Sequence, residues 1–108
     1  MAHFLFQGRY TARSVKAMVA NPEDREAAAR QLIESLGAKM HAFYFTFGDY
    51  DFMAIVEGDK IAMAGGSMTV AAAGAVSDAK TTPLLTSSEA MEAMAKAKAA
   101  AATYSPPG

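Results

Sequence analysis

The stretch from Lys39 to Glu57 is the feature of this sequence that most constrains its fold. It contains two apolar runs, Lys39–Phe47 and Tyr50–Glu57, with Gly48-Asp49 between them. Two residues that begin with glycine suit a tight turn, so the runs predict two antiparallel strands joined as a hairpin. A turn of this length fixes the partner of every residue in the two strands, and it therefore fixes which side chains share a face.

The predicted hairpin has one apolar face and one mixed face, because side chains alternate along a strand. The apolar face, which we expect helices to cover, comprises His41, Phe43, Phe45, Phe47, Tyr50, Phe52, Ala54 and Val56. The mixed face comprises Met40, Ala42, Tyr44, Thr46, Asp51, Met53, Ile55 and Glu57. A mixed face suits neither open water nor a dry core, so we expect it to meet a second copy of the chain around a partly wet space.

The rest of the chain predicts a regular alternation of strands and helices. The predicted elements are a strand over 3–10, a helix over 11–19, a helix with Asn21 as N-cap that ends at Leu36, the hairpin, a helix from Asp59, a strand over 75–85 that Pro83 either places at an edge or ends, and a helix opened by the capping box Thr86–Glu89. This order is that of an α+β fold, the ferredoxin-like β-α-β-β-α-β sandwich, here with an added C-terminal helix. We expect one domain over 1–103 and a flexible tail over 104–108.

Composition excludes several classes of protein. Ten Lys and Arg against 11 Asp and Glu give a net charge of -1, which argues against a nucleic-acid binder or a polybasic membrane anchor. Cysteine is absent, so no disulfide framework or catalytic thiol is possible. No apolar run is long enough to span a membrane, and the N-terminus lacks a signal peptide, so a cytoplasmic protein is expected. A hydrophobic fraction of 52% is high for this length, so the surplus apolar groups are expected to need a partner chain or an enclosed pocket.

The hairpin also resembles a known family. The segment Ala42–Glu57, with its Gly48-Asp49-Tyr50-Asp51 turn, is similar to the signature of the GYD domain family, and the resemblance extends over roughly residues 4 to 95. It departs after Asp59, where the segment 63–68 is unusually rich in glycine. The resemblance implies a dimeric α+β barrel, a fold shared with cofactor-free monooxygenases, muconolactone-isomerase-like proteins and haem-handling relatives. It implies a fold better than it implies a reaction.

Asp51 is the candidate catalytic residue. In the predicted pairing it lies on the mixed face near Arg9, and the candidate ligand-binding residues are Arg9, Tyr44, Thr46 and Met53. A half-buried carboxylate there could act as a general base, with Arg9 stabilising developing negative charge. The structural alternative is that Asp51 accepts hydrogen bonds from Thr46, from Arg9 or from backbone near the turn.

Histidine and glycine give weaker signals. His3 and His41 lie in strands and have no further ligands at metal-binding spacing, so no metal site, no haem and no other cofactor is predicted. His41 is more typical of a partly buried hydrogen-bonded group than of a base. In the helix after Asp59, one side carries Ile61, Gly65, Met68 and Ala72, and Gly65-Gly66 is tolerable where another backbone packs closely.

Three functional hypotheses follow. The first is a homodimeric or higher-order barrel that binds a small, largely apolar or aromatic molecule, or that serves as an assembly module. The second is a cofactor-free monooxygenase or isomerase with Asp51 as base. The third is an amino-acid-sensing regulatory module, which would be expected to be fused to a catalytic domain.

Overall fold

A computed structural model describes all 108 residues, and its strands and helices follow the predicted order. The elements are β1 (Ala2–Tyr10), α1 (Ala12–Ala20), α2 (Arg25–Ser35), β2 (Lys39–Phe45), β3 (Phe52–Gly58), α3 (Lys60–Ala72), β4 (Val76–Leu84) and α4 (Ser87–Ala100). The four strands form one antiparallel sheet in the order β2-β3-β1-β4, with β4 at an edge. None of the helices is both long enough and apolar enough to cross a membrane.

Helix starts follow the predicted caps with one exception. Thr11 and Asp59 cap α1 and α3, and the Thr86–Glu89 capping box opens α4. The prediction of Asn21 as the N-cap of α2 was wrong. The carboxylate of Asp24 accepts from the Ala27 N–H at 3.1 Å, so α2 begins after Asp24, while Asn21 ends α1 as its C-cap.

The hairpin keeps its predicted register beside the turn but not its predicted turn length. Phe45 pairs with Phe52, and the next pairs of the ladder follow as predicted. The strands end there, and the last hydrogen bond joins the Thr46 N–H to the Asp51 carbonyl at 2.9 Å. Four residues, not two, therefore form the loop. Phe47 was expected under a helix and is instead fully exposed at the loop tip.

A β-bulge at His41 overturns part of the predicted face assignment. Met40 pairs with Val56 and Ala42 pairs with Ile55, so His41 is an extra residue without a partner. Met40, which was predicted on the mixed face, therefore lies in the core and is only 2% exposed. His41, which was predicted on the apolar face, lies on the mixed face beside Glu57. Burying a thioether costs less than burying an imidazole, which favours this arrangement.

The core lies between the sheet and helices α2 and α3, and it is small. The buried hydrophobic residues are Phe4, Met40, Phe52, Ala54, Val56 and Met63. On α3, Met63 and Gly66 face inward. The side of α3 that carries Ile61 and Met68 is exposed, so the apolar side predicted there does not contribute to the core. The close neighbour of Gly66 is a Leu36 methyl group and not a backbone segment.

The opposite face of the sheet carries no helix. Along β3, buried and half-buried residues alternate without a break, and the half-buried positions include Met53, Ile55 and Glu57. Helix α4 has no buried residue, and it leaves Met91 and Met94 about two-thirds exposed. The radius of gyration is 17.6 Å, whereas a compact chain of this length would have about 13 Å. The protomer is therefore elongated. One face of its sheet is uncovered, and α4 buries none of its own residues.

Candidate functional site

A cavity of about 100 Å³ lies on the helix side of the sheet. Its walls are largely apolar, and they come from β1, β2, β3, α2, α3 and the start of β4. The lining residues are Phe6, Tyr10, Arg25, Ala28, Ala29, Leu32, Ile33, Met40, Phe43, Phe52, Ala54, Val56, Ala62, Met63, Gly66, Ser67, Val70 and Val76. Small side chains at inward positions of three elements leave the space that larger residues would fill.

Tyr10 and Arg25 are the polar residues that matter most in this cavity. Burial raises the pKa of the Tyr10 phenol, and the adjacent Arg25 guanidinium offsets part of that rise. The ring of Tyr10 packs against Phe52 and Phe45, with centroid separations of 5.0 and 5.7 Å. The cavity thus has an apolar body and one wall with a hydrogen-bonding hydroxyl and a positive charge. Neither Tyr10 nor Arg25 was among the site residues predicted from the sequence.

Asp51 lies where the hairpin meets the end of β1. Its Oδ2 atom accepts from the Tyr10 backbone N–H at 2.9 Å, and its own N–H donates to the Gly8 carbonyl at 2.9 Å. This position is next to the irregularity in the β1–β4 ladder between Gln7 and Arg9. Asp51 therefore extends the pairing with β1 beyond the last regular strand pair. This is the structural role that the sequence offered as the alternative to a catalytic one.

The residues predicted to join Asp51 are divided between the loop and the mixed face. Arg9 Nε donates to the Asp49 carbonyl at 2.9 Å, and Thr46 Oγ1 donates to the Tyr50 carbonyl at 2.6 Å. Both side chains thus bind loop backbone. Tyr44 is 65% exposed and pairs with Met53 on the uncovered face. The catalytic and ligand-binding roles of these residues stay predictions.

Replacing Asp51 separates its structural role from its charge. Asp51→Ala removes the acceptor for the Tyr10 N–H, and we expect it to lower the free energy of unfolding by about 1–3 kcal/mol. Asp51→Asn keeps an oxygen acceptor and is expected to cost less than half of that. Urea unfolding followed by circular dichroism measures both values. Equal losses in the two variants would show that the charge, and not the acceptor, is what matters.

A second polar cluster lies on the mixed face, where the bulge brings His41 to Glu57. The Nε2 atom of His41 is 2.8 Å from Glu57 Oε1, and the Nε2 atom of His3 is 3.8 Å from the same oxygen. The hydrogen bond from His41 lowers the pKa of Glu57, and the nearby His3 adds to this. The two imidazole rings are stacked with centroids 5.7 Å apart. The sequence did not predict this cluster, because an unbroken ladder puts His41 on the apolar face and Glu57 on the mixed face.

The match to a family model agrees with the resemblance seen in the hairpin. A family model described as the GYD domain matches residues 4–94, which is most of the chain. Among solved structures, one described as the crystal structure of FFRP-DM1 is similar at 15% identity with a TM-score of 0.45. That match covers 79% of this chain and 100% of the other. No curated protein sequence matches the chain.

Proposed function

This chain belongs to the GYD domain family, and we propose that it is a homodimeric protein that binds a small, largely apolar molecule. The observation that carries the binding role is the cavity between the sheet and helices α2 and α3. The observation that carries the dimer is the uncovered face on the other side of the same sheet.

The size of the cavity limits the ligand. A dry apolar cavity of about 150 Å³ can hold benzene, and this one has about 100 Å³. It suits a branched hydrocarbon group of four or so carbons, or a ring after a modest outward shift of α2. Because Arg25 and the Tyr10 hydroxyl form one wall, the best ligand carries an acidic group at one end.

Titration with matched pairs of small molecules tests this proposal. We expect isovalerate and benzoate to bind saturably, and each to bind at least about fivefold more tightly than its neutral amide because Arg25 favours the carboxylate. Amide chemical shifts in ¹⁵N-labelled protein should change at Ala29, Phe52 and Val70 and not in α4. The absence of saturable shifts at these positions with all four compounds would contradict the proposed function.

A second copy of the chain is the best cover for the mixed face. Two strands of seven residues and two of nine present at least about 19 by 23 Å, or ~440 Å², and the exposed side of α4 adds ~200 Å². The sum is close to the ~600 Å² per partner at which stable interfaces begin. Only nine of 108 residues are buried in the protomer, so association would also supply core that the single chain lacks.

The enzyme alternative has weaker support. A cofactor-free monooxygenase or isomerase would need the Asp51 carboxylate beside bound substrate, but its Oδ2 atom already accepts from the Tyr10 backbone. The cavity is lined by Tyr10 and Arg25 and not by Asp51. We therefore favour binding over catalysis at this site.

A further inference from the structure

Two imidazoles and one carboxylate meet on the mixed face, on three adjacent strands. His3 of β1 lies directly opposite Glu57 of β3 in the ladder, and His41 is the bulge residue of β2. From this arrangement we propose that His3, His41 and Glu57 bind a divalent transition-metal ion, with Zn²⁺ as the best fit. All three ligands come from one protomer, so the site does not depend on the proposed dimer or on the apolar cavity.

The distances suit such an ion. In a tetrahedral zinc site with bonds of about 2.0–2.1 Å, ligand atoms lie about 3.3 Å apart. Here Glu57 Oε1 is 2.8 Å from one histidine Nε2 and 3.8 Å from the other. One nitrogen or oxygen from each of the three residues lies within 4.8 Å of the others. Side-chain rotations that move these atoms by less than 1 Å would bring them to coordination distance.

The donor set decides which metals are favoured. Imidazole nitrogen with one carboxylate suits Zn²⁺, Co²⁺, Ni²⁺ and Cu²⁺, whereas Mg²⁺ and Ca²⁺ prefer six or more oxygens. Three protein ligands also leave a coordination position for water or a small ligand. The ligand side chains are each about one-third exposed in the single protomer.

One further observation supports a site in preference to a simple ion pair. The bulge that presents His41 is held from the helix side, where Arg30 Nη1 donates to the Met40 carbonyl at 2.9 Å. Rigid support of a ligand residue lowers the cost of organising a metal site.

The proposal is tested by titrating metal ions into the full-length protein, prepared without a polyhistidine tag. After treatment with a chelator, we expect one Zn²⁺ per chain by calorimetry, with micromolar or tighter affinity. Co²⁺ should give visible absorption of the strength typical of four or five ligands, and Zn²⁺ should displace it. Mg²⁺ should not compete. Failure to bind Zn²⁺ up to about 1 mM would overturn the proposal, because the three residues would then form only an ion-pair cluster.

Variants distinguish this site from nonspecific surface binding. His41→Gln and Glu57→Gln each remove one ligand, and each should weaken Zn²⁺ binding by at least about tenfold. Glu92→Gln removes an exposed carboxylate of α4 outside the cluster and should leave affinity unchanged. Circular dichroism establishes that the variants remain folded. Equal Zn²⁺ affinity in all three variants and the parent would overturn the assignment, whatever the parent affinity.

Discussion

Ile55→Asp is expected to convert the proposed homodimer into a monomer. Ile55 lies near the middle of β3 on the uncovered face. It pairs with Leu5 of β1 on one side and with Ala42 of β2 on the other. A two-fold interface receives each substitution twice, so two carboxylates would lose water without gaining partners. We expect the dimer dissociation constant to rise at least about 100-fold, which corresponds to ~2.7 kcal/mol.

A second isoleucine provides the matched control. Ile61 on α3 is 78% exposed and lies on the helix side of the sheet. Ile61→Asp makes the same chemical change away from the proposed interface, so it should leave the mass in solution unchanged. Light scattering after gel filtration, at several micromolar concentrations, measures all three proteins. A monomeric parent chain, or a dimer unaffected by Ile55→Asp, would contradict the proposed interface.

The hairpin shows how far sequence patterns can predict this fold. Alternating aromatic residues on both sides of a glycine-containing loop fixed the pairing of Phe45 with Phe52, and the structure has that pair. The pattern could not predict the bulge at His41, because alternation is counted on the assumption of an unbroken ladder. The bulge depends on burying Met40 and on a hydrogen bond from Arg30, which belongs to a different element.

The two central helices show a different limit. Asn21 and Asp24 are both good N-caps, and the choice between them depends on where α1 ends, which local sequence does not specify. In α3, alanine and glycine carry little periodic signal. The two large residues Ile61 and Met68 therefore dominated the pattern, although Met63 is the residue that enters the core.

The candidate sites were harder to predict than the fold because each joins distant segments. The histidine cluster requires the bulge, which reverses the face of His41. The cavity requires small residues of α2, β3 and α3 to face one another, and abundant alanine in the sequence does not show where it will leave space. Asp51 was placed next to the end of β1 from strand pairing alone, and it does lie there, although its hydrogen bond goes to the backbone of Tyr10.

Filling the cavity should have opposite effects on stability and on binding. Ala29 lines the cavity and packs against the buried core from α2. Ala29→Leu adds three carbons to that space, and burying them stabilises the fold by up to ~2 kcal/mol if the added group fits. The same carbons occupy the space proposed for the ligand, so isovalerate and benzoate binding should fall at least about 30-fold. A variant that loses binding only because it unfolds would instead show a lower unfolding free energy.

The control for this variant lies two residues away on the same helix. Ala27 is exposed and does not line the cavity, so Ala27→Leu makes the same substitution with a similar helix propensity and leaves the space open. It should bind both carboxylates as the parent does. Urea unfolding and the same amide-shift titrations give the two measurements for each protein. If Ala29→Leu retained parent affinity while remaining folded, the ligand would have to bind elsewhere, and the cavity would be no more than a packing defect of a small core.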